Sequence, residues 1–305
     1  VAGASYHEPV LVEEALAAWV TDPRGRYLDG TIGGGGHADH LLSRHPEAEL
    51  IGLDRDPEAL VEARRRLAPH AGRVRLFRAD YADMEDVLAG VGGPPPAGIL
   101  LDLGVSSRQL DDPRRGFSYL SEGPLRLTLD RDATRGAAEL LAEIEEGELK
   151  RIFRELGELP AAGRAARAVV GARRRHPLDT TSRLVDALRA GGVTTPRRLS
   201  QAFQALRLAV NDELGSLRRG LDASARVLPP GGTLTVISFE SLMDRMVKRT
   251  FRPPRFERPL PGVPDREPRW EVLTRKAVRP GPDELARNPR SRSARLRAAR
   301  RTAHA

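Results

Sequence analysis

The 305-residue chain contains no cysteine. Disulfides, thiolate nucleophiles and cysteine-held zinc or iron–sulfur centres are therefore excluded, and no metal site is expected. Aromatic residues make up only 4%, and there are just three lysines, Lys150, Lys248 and Lys276. No apolar run approaches the ~20 residues of a membrane-spanning helix. The start of the chain lacks the basic-then-apolar layout of a signal peptide, so a soluble, unexported, cytoplasmic protein with no membrane partner is expected. What is present is a 40% hydrophobic content with clear periodicity. A chain of this length can bury one large core, or one core and a satellite.

The net charge of +8 is unevenly placed. Residues 241–305 hold 18 Lys+Arg against 7 Asp+Glu, whereas the remainder holds 32 against 35. A basic segment on a near-neutral body points to a polyanionic partner, nucleic acid first. The competing reading is a solvated tail in an arginine-biased composition.

The first hundred residues alternate strand and helix signals. A helix is expected over Val10–Trp19, and strands end at Asp29, at Asp54, near Arg78 and at Asp102, with a helix over Glu58–Leu67. Such alternation implies βαβ crossovers and a parallel sheet. From Asp111 to Pro196 the strand signal stops. Helices are expected over Ala137–Leu156, Arg164–Arg175 and Ser182–Arg189, the last capped by Thr181 or Ser182. A single long helix is expected from Leu199 to Leu228, bracketed by Pro196 and Pro229, and a fifth strand over Thr233–Phe239. Arg279–Ala305 reads as a flexible tail or a basic helix. The implied organisation is a sheet domain in two parts, 1–110 and 199–305, with a helical insertion over 111–198.

Chemistry concentrates at the strand ends. Asp29 precedes the run Gly30-Thr31-Ile32-Gly33-Gly34-Gly35-Gly36-His37, which leads into a helix. Glycines there allow close backbone approach to a ligand, and the helix start offers free N–H groups. An acid before the glycines would repel a pyrophosphate. It suits a ligand carrying ammonium or sulfonium charge, and S-adenosylmethionine carries both. Asp54 is placed for ribose hydroxyls, Tyr81 for stacking on adenine, and Asp102 ends the fourth strand. In open α/β sheets, ligands bind at this edge. The Leu228-Pro229-Pro230-Gly231-Gly232 turn resembles the turn before a late strand in class I methyltransferases. A class I (Rossmann-like) S-adenosylmethionine-dependent methyltransferase fold with an inserted all-helical domain is expected. A dinucleotide oxidoreductase is the alternative, disfavoured by the loose glycine spacing.

Longer segments then carry a specific resemblance. His7-Glu8-Pro9-Val10-Leu11, Asp54-Arg55-Asp56-Pro57, Gly98 through Ser107, Gln109-Leu110-Asp111-Asp112, Arg115-Gly116-Phe117-Ser118, Phe203-Gln204-Ala205-Leu206-Arg207 with Asn211 and Glu213, and Asn288-Pro289-Arg290 span nearly the whole chain. The sequence resembles the bacterial MraW (RsmH) family. That resemblance implies methylation of cytosine N4 in the decoding region of 16S ribosomal RNA, within the small ribosomal subunit or its precursor. It implies S-adenosyl-L-methionine contacts at Gly34, Gly35, Gly36, His37, Asp54, Tyr81, Asp102 and Gln109. Asp102 is the candidate catalytic residue, as a carboxylate able to accept an N4 hydrogen. Candidate RNA contacts are Arg164, Arg167, Arg173, Arg174 and Arg175, with Arg287, Arg290, Arg292, Arg295 and Arg297.

The family pattern G-P-L-D-M-R-M-D stands here with Arg126 and Thr128 at two of its charged positions, and F-H-S-L-E-D-R with Glu240 and Met243. A second expectation follows from these departures: an inactive or altered-specificity RNA-binding relative of that methyltransferase.

Overall fold

The computed structural model describes residues 9–252 and 269–303, so the His7-Glu8 part of the first motif lies outside the described residues. The chain divides into two compact units, one of residues 1–104 and 215–305, the other of residues 105–214. Each has its own hydrophobic core.

The first unit opens with α1 (Val12–Trp19), β1 (Arg26–Asp29), α2 (Gly36–Arg44), β2 (Glu49–Asp54), α3 (Pro57–Arg66), β3 (Val74–Arg78), α4 (Met84–Val91) and β4 (Gly98–Asp102). The strands β1, β2 and β4 are short apolar runs buried along nearly their whole length. That is the signature of parallel strands covered on both faces. Helix α3 starts where the sequence prescribes: Asp56 accepts from the Glu58 N–H and Pro57 occupies the first turn.

The second unit holds α5 (Ser107–Asp111), α6 (Ala137–Glu143), α7 (Glu146–Glu155), α8 (Ala162–Arg173), α9 (Thr181–Ala190) and α10 (Pro196–Val210). Its only strand pairing among the described residues is a single bridge between Pro124 and Thr180. The continuous helix expected over Ala137–Leu156 is broken between α6 and α7. Arg173 Nη1 donates to the carbonyls of Leu141 and Ile144, both at 2.6 Å, and so closes the end of α6. The cap of α9 is Thr180, one residue before the expected position. Thr181 is buried instead and its hydroxyl donates to the Ser121 carbonyl at 2.7 Å.

The expected single helix over Leu199–Leu228 is also two. Helix α10 ends at Val210, and α11 (Glu213–Val227) begins after Asn211 and a left-handed Asp212 (φ 48°). Apolar periodicity runs through the break because both helices bury the same kind of stripe, so spacing alone does not reveal it.

The first unit then continues with β5 (Thr233–Ser238), α12 (Ser241–Phe251), β6 (Trp270–Val272), α13 (Pro282–Arg287) and β7 (Arg295–Arg301). The sheet order is β3-β2-β1-β4-β5-β7-β6. The first five strands are parallel, while β7 is antiparallel to both β5 and β6. This is the expected class I, Rossmann-like α/β architecture.

The tail or basic helix expected over Arg279–Ala305 is therefore corrected, since its second half is an internal strand. Leu296, Ala298 and Ala299 are buried, and Arg297 pairs with Asp244 on α12 at 2.6 Å. The arginines alternate with small apolar residues, and this period of two outweighs the charge run. No helix among the described residues is long and apolar enough to cross a membrane.

Candidate active site

The strand order reverses between β1 and β4, because β2 and β3 extend to one side and β5 to the other. The carboxyl ends at such a switch point leave a crevice where ligands bind. Asp29 ends β1, Asp102 ends β4 and Asp54 ends β2.

Short bonds tie these ends together. Asp29 Oδ1 accepts from the Thr31 N–H at 3.1 Å, and Thr31 Oγ1 accepts from the Asp102 N–H at 2.6 Å. Asp54 Oδ2 accepts from the Gly33 N–H and Oδ1 from the Asp56 N–H, both at 2.8 Å. The Asp54 carboxylate thus shapes the glycine turn. The Arg55 backbone N–H is a third donor to it, which leaves acceptor capacity for about one ligand hydroxyl. Gly35 sits in the left-handed region (φ 79°) as the cap of α2, with Gly34 before it and Gly36 opening the helix. A side chain at Gly35 would be strained there.

His37 follows in the first turn of α2, buried at 6% exposure. Its Nε2 lies 2.9 Å from the Val10 carbonyl and its Nδ1 lies 3.9 Å from Asp102 Oδ2. Tyr81 packs against two glycines. A Cβ on Gly30 would lie 2.8 Å from the Tyr81 Cβ, and one on Gly220 of α11 would lie 2.5 Å from its ring. Ahead of it, Asp80 accepts from Ser216 Oγ at 2.8 Å and from the Ala82 N–H at 2.9 Å, and faces Arg55 at 3.4 Å. The ring is therefore held by its backbone anchor and by the missing side chains beside it.

The electrostatics are unusual for a surface crevice. Burial pushes Asp29 up to about 8, with the charges of Asp102 and Asp54 adding to the rise and the Thr31 hydrogen bonds opposing it. Burial raises Asp102 to about 7. Asp54 rises to about 6 by burial, opposed by its backbone donors. Asp102 keeps 22% of its side chain exposed, yet its Oδ1 is buried and takes no hydrogen bond among the described residues. A buried carboxylate oxygen without a donor is costly unless a ligand supplies one. Three clustered acids with raised proton affinity fit a ligand that brings positive charge and hydroxyl donors.

Among the residues singled out in the sequence, Gly34, Gly35, Gly36, His37, Asp54, Tyr81 and Asp102 all belong to this unit. Gln109 belongs to the other. Its Oε1 accepts from the Ser106 N–H at 2.9 Å while Ser106 Oγ accepts from the Gln109 N–H, a capping box that starts α5. The sequence reading passed over Ser216 and Gly220. The signal for Gly220 is a glycine inside a helix, which costs about 1 kcal/mol without a packing reason.

The arginines sort by environment. Arg164, Arg167 and Arg174 are exposed on the helical unit, with Arg167 beside Glu146 at 3.5 Å. Arg290 and Arg292 are exposed in the turn before β7. Arg173 and Arg297 are corrected as RNA contacts: one closes α6 and the other pairs with Asp244, so their donors are engaged within the fold.

Three of the four departures from the family pattern, Met243, Thr128 and Arg126, are packed or bonded within the fold. Met243 is buried on α12 at 1% exposure. Thr128 is buried, with its carbonyl held by Arg115 at 3.1 Å, and Arg126 donates to the Ala133 carbonyl.

Ribosomal RNA small subunit methyltransferase H of Symbiobacterium thermophilum is 46% identical, covering 97% of this chain and 96% of that protein. The enzyme of the same name from Syntrophus aciditrophicus is 45% identical over 97% of this chain and 98% of its own length. Among solved structures, a rRNA methylase from Streptococcus thermophilus aligns over 95% of this chain and 93% of that one, with a TM-score of 0.42 at 8% identity, a likeness too loose to carry an argument. The model of the MraW methylase family matches residues 4–302, and the chain belongs to that family.

Proposed function

We propose that this protein transfers a methyl group from S-adenosyl-L-methionine to N4 of a cytidine in the decoding region of 16S ribosomal RNA, within the small ribosomal subunit or its precursor. The observation that carries the cofactor assignment is the buried carboxylate cluster of Asp29, Asp54 and Asp102 around the glycine turn, with its unpartnered Asp102 Oδ1. The substrate assignment is supported by relatives named for methylation of small-subunit ribosomal RNA over nearly their full length.

S-adenosyl-L-methionine, when bound, supplies a sulfonium-activated methyl group open to in-line displacement. The chain's task is alignment of the acceptor and management of its proton. Gly34, Gly35 and Gly36 admit close backbone approach, Asp54 receives ribose hydroxyls, and Tyr81 offers a ring face to adenine. Gln109 is assigned to the same ligand. Asp102 accepts a hydrogen from the cytosine amine, which returns lone-pair density to a nitrogen otherwise conjugated with its ring. Arg164, Arg167, Arg174, Arg290 and Arg292 engage phosphates, and the target base leaves its stack to reach the pocket. Residues 111–198 act as the RNA-recognition insertion.

The test is incubation with labelled S-adenosyl-L-methionine and 30S subunits, followed by mapping of the modified nucleotide. Label at a decoding-region cytidine is expected. Label elsewhere, or none, rejects the reading. In the same assay Asp102→Asn is expected to lower turnover by more than it weakens cofactor binding, and a loss confined to binding would make Asp102 a cofactor ligand alone.

A further inference from the structure

One peptide group beside the site is gripped at both ends. The Leu11 N–H donates to Glu284 Oε1 on α13 at 2.8 Å. The carbonyl of the same peptide, that of Val10, lies 2.9 Å from His37 Nε2. Val10 and Leu11 are buried, and Leu11 is left-handed (φ 55°), a conformation leucine adopts only when its surroundings impose it. No side chain caps α1 from its own N-terminus, so the distant carboxylate of Glu284 holds this turn.

The carbonyl has no hydrogen to give, so in this contact Nε2 carries the ring hydrogen. The other ring nitrogen, Nδ1, is then on the Asp102 side, 3.9 Å from Oδ2. A carboxylate on the N–H end of an amide polarises the carbonyl at its other end, because hydrogen bonds in series strengthen one another. Charged groups near this pair include Asp29, whose charge and that of Asp102 act on each other, Asp54 beyond it, Glu284 on the Leu11 N–H, and Arg66 from α3, whose Nη1 lies 3.2 Å from where a Cβ on Gly36 would sit.

We propose that Glu284 is a positioning residue of the methyl-transfer site: through the Val10–Leu11 peptide it holds His37 as the Nε2–H tautomer and turns Nδ1 toward Asp102. This rests on the methyl-transfer reading given above. So oriented, Nδ1 and the Asp102 carboxyl face each other at 3.9 Å, and each is an acceptor able to take up a proton. Methylation of an amine releases one proton, and Asp102, the carboxylate assigned to accept it, is one member of this pair.

The experiment uses the full chain as wild type, Glu284→Ala and Glu284→Gln. Nitrogen-15 histidine NMR reads the His37 tautomer without reference to activity. The wild type is expected to show Nε2–H. Glu284→Ala is expected to mix the tautomers and to lower kcat by roughly ten-fold, with KM for S-adenosyl-L-methionine changed by less than about two-fold. Glu284→Gln keeps an oxygen for the Leu11 N–H and is expected to restore the tautomer and most of the rate. An unchanged tautomer in Glu284→Ala overturns the proposal, whatever its rate. An Nδ1–H tautomer in the wild type overturns it even where the alanine variant does not fold. If the wild type itself methylates nothing, the methyl-transfer reading fails while the tautomer comparison still decides the relay.

Discussion

Two buried polar clusters, one in each compact unit, show opposite designs. In the helical unit, Arg207 meets Glu213 at 2.8 Å with both side chains under a tenth exposed. Asn211 beside them donates to the Leu127 and Arg207 carbonyls and accepts from the Leu129 N–H, at 2.7 to 2.8 Å. Acid meets base, amide meets backbone, and the left-handed Leu127 is pinned. In the sheet unit, Asp29, Asp54 and Asp102 crowd together, and burial raises all three. Asp102 keeps a buried oxygen without a donor among the described residues. A cluster matched internally serves the fold. A cluster left short of positive charge serves something that binds.

The contrast can be broken by substitution. Arg207→Ala or Glu213→Ala should leave a buried charge uncompensated and cost about 3–5 kcal/mol, seen as a large drop in the denaturant midpoint. Asp102→Asn removes an acid whose Oδ1 takes no hydrogen bond among the described residues, so its stability at pH 8 should equal or exceed that of the wild type. A comparable loss in both would erase the distinction.

The pH dependence sharpens the same contrast. Asp29, Asp54 and Asp102 hold their protons more tightly folded than unfolded. Above about pH 4 the unfolded state releases these protons first, so stability falls as pH rises and levels off beyond about pH 8. Thermal unfolding of the ligand-free protein from pH 5 to 8 checks this, and Asp29→Asn should flatten the curve. S-adenosyl-L-methionine should bind more tightly as the carboxylates ionise, and a falling affinity over that range would count against a cationic ligand.

The smallest effect concerns Tyr81. Gly220→Ala places a methyl group 2.5 Å from the ring as it now stands, so the ring must move. Affinity for S-adenosyl-L-methionine should weaken roughly ten-fold, with a stability cost within the range of about 1–3 kcal/mol for overpacking. Calorimetric titration and a melting curve on the same sample separate the two.

Much of the site was legible because it is local. Asp29, the glycines, His37, Asp54, Tyr81 and Asp102 follow strand signals directly, and parallel strands deliver their ends to one edge. What escaped depends on distance along the chain. Glu284 reaches Leu11, Ser216 reaches Asp80, and Gly220 makes room for Tyr81, and no spacing rule connects such pairs. Gln109 also caps a helix of five residues, a role set by its contact with Ser106. The arginines misled for a related reason. Charge is visible in a sequence, but whether a guanidinium meets solvent or a carbonyl, as Arg173 does, depends on the neighbouring helix.

The sequence by itself determined the α/β alternation, the acids at the strand ends and the glycine turn between them, because these follow from backbone periodicity and residue size within short windows. Tertiary structure alone decided that β7 enters the sheet between β5 and β6 as an antiparallel strand, that two long helices break, and that three carboxylates share one buried crevice. Burial and hydrogen-bond partnership are properties of neighbours far apart in sequence, and only the folded chain assigns them.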